Sequence, residues 1–169
     1  AAKELAVLDQ TAKPSAMIEA MAGQVLAQAG KRDAAIKRYQ AALQRYPNHM
    51  QLVYDYPDAL IETGQHGTAV QFIEGQLQRF PNDARLHQLA AKSYAALGRK
   101  LLQHAHQGEY YVRLGNLRGA IDQFELAIKA GDGNFYQIST AESRLRTLRQ
   151  DLADQGREFG KLAAQNLRP

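Results

Sequence analysis

The chain has no cysteine, which removes disulfides and thiolate metal sites and leaves its redox compartment open. No apolar run approaches the roughly 20 residues that cross a bilayer, so a membrane-spanning helix is not expected. No basic-then-apolar leader opens the sequence, and any signal sequence is expected to have been removed or to lie upstream. β-Branched residues are sparse while Ala, Leu, Gln and Arg abound, a composition that favours helices over sheet. The charge balance is also thin, with 21 basic and 17 acidic residues. Arg144, Arg146 and Arg149 cluster near the end, but a nucleic-acid footprint needs a denser basic face with stacking aromatics beside it. No nucleic-acid partner is expected.

Catalytic signatures are missing as well. There is no HExxH, no GxxxxGK[ST] loop and no GxGxxG after a strand. The five histidines are His49, His66, His87, His104 and His106, and no two of them are four apart. His104 and His106, two apart, point to different sides of a helix, so ordinary solvated or capping roles are expected. "GDGN" (Gly131 to Asn134) has part of a calcium loop but lacks the remaining carboxylates and the closing Glu; it reads as a turn between helices. No catalytic residue, metal ligand or cofactor is assigned to this chain.

What is present is a repeat. "AGKRDAAIKRYQAALQRYPN" (Ala29 to Asn48) and "TGQHGTAVQFIEGQLQRFPN" (Thr63 to Asn82) superimpose at a period of 34. Gly30 answers to Gly64, Ala35 to Ala69, Leu43 to Leu77, Tyr46 to Phe80, Pro47 to Pro81 and Asn48 to Asn82, and Gly98 continues the first column. Each column has a physical reason. The glycine takes a φ > 0 turn that a Cβ opposes. The small Ala admits a second helix closely. The aromatic and Leu bury that helix, and Pro ends it. Asn48 and Asn82 are placed to cap the next helix.

These columns resemble the tetratricopeptide repeat over residues 16 to about 134. The resemblance implies an all-α, right-handed solenoid of helix–turn–helix units, because one unit cannot bury its apolar face alone. The phase then slips. Gly115, Ala120, Phe124 and Ala127 repeat the spacing of Gly30, Ala35, Tyr39 and Ala42 at an offset of 85, two and a half periods. "RKLLQHAHQGEYYVRL" (Arg99 to Leu114) must therefore close one unit and open the next, an irregular half-repeat. Gly108 and Tyr111 suit a first helix. Pro57 lies in an otherwise helical stretch, which is expected either to bend over Val53 to Pro57 or to fray before it. Ile138, Ala141, Leu145, Leu148 and Leu152 form a stripe suited to a capping helix.

The expected organisation is a helix stub and linker over 1–15 and an array over 16–134, in units of about 16–49, 50–83, 84–100 and 101–134. A capping helix over 135–153 and a polar tail over 154–169, loosened by Gly156 and Gly160, complete it. The expected helices are 16–29, 33–46, 50–63, 67–80, 84–97, 100–114, 117–130 and 136–153.

By the same resemblance, the first helix of each unit lines a concave partner-binding groove. The residues it projects are Met17, Met21, Gln24 and Gln28, then Tyr54, Asp58 and Glu62, then Gln88 and Lys92, and finally Glu109 and Arg113. Polar, Met and Tyr side chains together suit a protein or peptide partner. The Lys/Asn clamp of chaperone-binding relatives is replaced by Ala20, Gln24, Tyr54 and Asp58, so C-terminal carboxylates are not the expected ligand.

One subfamily is more similar than others. In bacterial periplasmic zinc metalloproteases that assist outer-membrane β-barrel assembly, a C-terminal array ends with pieces like "YYVRLGNLRGAIDQFELAIKAG" and "FYQISTAESRLRTLRQDL". "YPDALIETGQ" also resembles one of their helices, with Pro57 as a departure. That resemblance implies a periplasmic accessory domain, with zinc only in a catalytic domain outside this chain. The implied partners are its own protease domain or the barrel-assembly machinery. The alternative is a free-standing adaptor in pilus, secretion or envelope assembly, or a cytoplasmic protein.

Overall fold

A computed structural model describes residues 15–166, with side chains over 15–158. Eight α-helices and no strand occur among the described residues. They are α1 (Ala16–Gln28), α2 (Arg32–Arg45), α3 (Met50–Glu62), α4 (His66–Arg79), α5 (Ala84–Ala96), α6 (Lys100–Arg113), α7 (Leu117–Lys129) and α8 (Phe135–Asn166). The fold is all-α, and the first seven helices agree with the expected spans to within one residue. The expected stub and linker over 1–15 lie outside the described residues, apart from Ser15.

The glycine columns set the turns. Gly30, Gly64, Gly98, Gly115 and Gly131 all have positive φ, between 69° and 76°. At the first four, the glycine N–H bonds back three residues and the next N–H bonds back five. Lys31 N donates to the Leu26 carbonyl (2.9 Å), Gln65 N to Leu60 (2.8 Å), Arg99 N to Tyr94 (2.9 Å) and Asn116 N to Tyr111 (2.9 Å). This is the Schellman arrangement, which satisfies the last carbonyls of each helix and reverses the chain within three residues.

The N-caps differ from expectation. Ser15 Oγ accepts from Ile18 N, Asp83 Oδ1 from Leu86 N (2.9 Å) and Asn116 Oδ1 from Gly119 N (2.9 Å). Asn48 and Asn82 each lie one residue before the cap position, which His49 and Asp83 occupy. Asn48 instead accepts from Arg79 at the end of α4.

Two compact units divide between Pro81 and Asn82. In the first, α1 packs on α2, α2 on α3, α3 on α4, and α1 also on α3. Tyr39, on α2, fills the space where a Cβ on Gly23 of α1 would stand. In the second unit, α5 packs on α6, α6 on α7 and α7 on α8, but the contact that skips a helix is α6 with α8. The first-helix part has passed to α6, and its Gly108 faces Phe124 of α7 as Gly23 faces Tyr39. A Cβ on Gly108 would stand 2.7 Å from Phe124 Cε2. Around Phe124, Leu117, Ala120, Ala141, Leu145 and Leu148 form the buried core of α7 and α8, with Ile138's stripe partner Leu152 half-buried against it.

Pro57 neither breaks nor frays its helix. α3 is continuous from Met50 to Glu62, and Pro57 is fully buried within it. Its column explains how: 34 residues after Gly23, it occupies the slot of the close approach, while the residue 34 after Tyr39 is the smaller Ile73, also fully buried. More volume on one helix is matched by less on the next. Tyr56 meets Phe72 edge-on at 4.9 Å and adds a contact between α3 and α4.

The last helix is longer than expected. It does not give way to a tail after 153 but runs through Gly156 and Gly160 to Asn166. Each interior glycine costs only about 1 kcal/mol. Arg157, three residues after Asp154, pairs with it across the first of them, and Gln150 Nε2 donates to the same carboxylate at 3.2 Å.

Two substitutions separate the two glycine roles. Gly64→Ala meets nothing within 4 Å and is expected to cost roughly 1–2 kcal/mol from the left-handed backbone alone. Phe124→Ala is expected to cost roughly 3–5 kcal/mol, and Gly108→Ala roughly 1–3 kcal/mol. Together the last two should cost clearly less than their sum, because the ring that the added methyl would strike is gone. Denaturant midpoints of the two singles and the double check this; strict additivity would contradict the packing described.

Candidate partner-binding face

On α1, Met17, Met21, Gln24 and Gln28 recur at intervals of four, three and four and so share one face. Met17 is 61% and Met21 52% exposed, although both could be core residues by chemistry. Farther along that face, Gln24 and Gln28 line a pocket of about 190 Å³ with Ala27 of α1, Tyr39 of α2, and Asp55, Asp58, Ala59 and Glu62 of α3. The contact between α1 and α3 brings these side chains together.

Asp55 is buried and doubly held. Gln24 Nε2 donates to Oδ2 at 2.9 Å and Gln51 Nε2 to Oδ1 at 2.7 Å, so the carboxylate is satisfied without a cation. Glu62, at the exposed end, lies 3.6 Å from Arg32, with both side chains half exposed; such a pair is worth little. The pocket is electronegative. Burial first, then the charges of Asp55, Glu62 and Asp58, raise the pKa of the Tyr39 hydroxyl well above the usual phenol range.

The structure therefore brings Gln24, Gln28, Asp58 and Glu62 of the expected set into one pocket, with Met17 and Met21 on the same helix face. Tyr54 is half-buried on α3 and does not line it. Asp55 and Tyr39 were not expected. The signal for Asp55 was available: Asp55, Asp58 and Glu62 follow the i, i+3, i+7 pattern of one face, whereas a projection by fours from Tyr54 drifts off it.

In the second unit, Gln88 and Lys92 stand exposed on α5. Glu109 and Arg113 of α6 are drawn into an internal network. Arg144 of α8 donates from Nε to Glu109 Oε1 (2.6 Å) and from Nη2 to Oε2 (3.0 Å), and Arg113 Nη2 donates to Oε2 at 3.2 Å. Burial pushes the Glu109 carboxyl up, but the bonds and charge of Arg144, with Arg113 and His87, outweigh it and hold the pKa below the ordinary range. Glu109 ties α6 to α8. The histidines also depart from solvated roles: His87 is buried against His106, and His104 Nδ1 lies 2.9 Å from Gln123 Oε1. The Asp132 of "GDGN" accepts from Leu101 N at 2.9 Å and so caps the start of α6.

Residues 26–93 match the family model of the tetratricopeptide repeat. That segment consists of tetratricopeptide repeats. It covers 68 residues, two periods of 34, from the end of α1 into α5. The fold is similar to that of the MamA 41-end chain from Desulfovibrio magneticus RS-1, with a TM-score of 0.61 and 17% identity over 89% of this chain and 86% of that one. A MamA RS-1 ArsTM double mutant aligns with the same TM-score, at 16% identity over 89% of this chain and 84% of that one. No curated protein matches by sequence. Among the described residues, no helix is long and apolar enough to cross a membrane. The tetratricopeptide fold is typically a non-catalytic platform for protein contacts.

The Glu109 network has a pH signature. A depressed carboxyl stabilises the fold above the unfolded value of about 4.3 and loses that contribution as pH falls through the folded value. Wild type should therefore lose more stability between pH 5 and pH 3 than Glu109→Gln does. At pH 7 the variant should be about 1–3 kcal/mol weaker, because Arg144 loses its charged acceptor. Urea midpoints at the three pH values measure both, and parallel losses in the two proteins would contradict the assignment.

Proposed function

We propose that the chain is a non-catalytic interaction module that captures a protein or peptide segment on the α1–α3 face of its first unit. The observation that carries this reading is the pairing, on one helix face, of two exposed methionines with an electronegative pocket. Exposed apolar side chains beside polar ones commonly mark interaction surfaces. Met adapts to varied apolar partners, and carboxylates around a pocket favour a cationic side chain. The segment that fits has a Lys or Arg for the pocket and an apolar residue for Met17 and Met21. Met21 and Met17 precede Gln28 by seven and eleven residues, about 10 and 16 Å along the axis. An extended segment covers that distance in about three to five residues.

The finer reading is an accessory domain of a periplasmic zinc metalloprotease in outer-membrane protein assembly. It is supported by the resemblance of the last repeat and closing helix, with zinc held in a catalytic domain outside this chain. The protease domain or the assembly machinery is then the natural partner. A free-standing envelope adaptor is the alternative. The encoded sequence upstream separates them: an HExxH helix there selects the first, a signal peptide directly before Ala1 the second.

The test of the binding face uses immobilised wild type, the double variant Asp58→Lys/Glu62→Lys and a control, Asp33→Lys, on the exposed side of α2. Each is offered an extended-peptide library in which one Lys or Arg and one apolar residue are varied in spacing. Wild type and the control should retain basic–apolar peptides, and the double variant should lose them at least about tenfold, the effect of roughly 1.4 kcal/mol. Equal retention by all three proteins, or a preference for acidic peptides, would contradict the proposal.

A further inference from the structure

We propose that His87 and His106 form a proton-sharing pair that fastens α5 to α6 while at least one ring is neutral and releases it when both are charged. Their Nδ1 atoms lie 3.1 Å apart. A hydrogen bond between two imidazole nitrogens needs one nitrogen with a proton and one without. Either both rings are neutral, with one Nδ1–H donating, or a single imidazolium donates to a neutral ring. Two imidazoliums present two N–H groups to each other and make no bond. His87 is 7% exposed, so water gives that repulsion little screening.

The surroundings fix where the first and second protons stand. Tyr94 of α5 stacks on His106 with ring centroids 5.4 Å apart and planes 15° from parallel, holding the ring against rotation. From α6, Glu109 is close enough to His87 for their charges to interact, which favours a first proton on the pair. That carboxylate is already shared between Arg144 of α8 and Arg113 of α6, so it has little capacity left to offset a second. From α7, the side chain near this face is Gln123, which is uncharged and engaged with His104.

The consequence for pH has a definite sign. Each unfolded histidine takes its proton near pH 6.5. The folded pair accepts one proton and resists the other, so below that pH the unfolded chain binds more protons and stability falls. Within its unit, α5 packs on α6 and on no other helix. Loss of this pair therefore acts on the contact that holds α5, and α5 carries the exposed Gln88 and Lys92. Acid is expected to free that helix before the Phe124 core.

The experiment compares thermal midpoints at pH 8 and pH 5 for the full chain, His106→Gln and His104→Gln, with ring titrations by NMR in the wild type. Glutamine at 106 can still bond His87 but takes no charge. The wild-type midpoint should fall by about 2–4 °C more than that of His106→Gln, while His104→Gln follows the wild type. The rings of His87 and His106 should titrate in two coupled steps more than about one pH unit apart. Equal falls in wild type and His106→Gln, or two independent titrations near pH 6.5, would overturn the proposal. Should His106→Gln fail to fold, the wild-type titrations decide it alone.

Discussion

The fold depends on a close approach between the first helix of a unit and the aromatic ring of the second. At Gly23 and Gly108 the backbone presents no Cβ, and Tyr39 and Phe124 fill the space. Burying such a ring contributes several kcal/mol, and the position is available only while the opposing residue stays small. Tyr39 has a second consequence, because its ring also lines the pocket between α1 and α3. The contact that sets helix spacing in the first unit thus supplies one wall of the proposed partner site. Binding and packing are not separable at that residue, whereas Asp58 and Glu62 can be altered nearer the surface.

Much of the architecture was legible because it is governed by a few residues with strong local physics. Glycine at positive φ and proline after the second helix mark boundaries that hardly depend on distant contacts, and the helix ends followed them closely. The offset of 85 residues pointed to α6 as the helix that changes role, and the matching of Gly108 with Phe124 gives that offset a physical content. What local pattern could not supply was partner choice. Asn48 had the chemistry of a cap, but the chain placed it one residue early, where Arg79 takes it. Gly156 and Gly160 had the chemistry of a loose end, yet their helix-forming neighbours carry α8 through them.

The site was legible in the same partial way. Four-residue steps along α1 located Met17, Met21, Gln24 and Gln28 on a single face, and the structure keeps them there. On α3 the same step from Tyr54 passed over Asp55, whose burial becomes tolerable only through Gln24 and Gln51, and the first of these lies 31 residues earlier. Glu109 looked like a surface charge because its partner Arg144 lies 35 residues away on α8. The histidine pair was invisible for that reason too: His87 and His106 are 19 residues apart on different helices. Pairings made by packing leave no periodic trace.

The central claim is that the α1–α3 face of the first unit recognises a basic and apolar segment. Its most direct measurement is an NMR titration of the chain with a short extended peptide carrying one Lys and one Leu about four residues apart. It would follow the methyl signals of Met17 and Met21 and the side-chain amide signals of Gln24 and Gln28. The account predicts that these four signals shift together and saturate at one peptide concentration, while signals of Tyr136 and Ser143 on α8 stay in place. Shifts confined to α8, with the α1 signals unmoved, would contradict it.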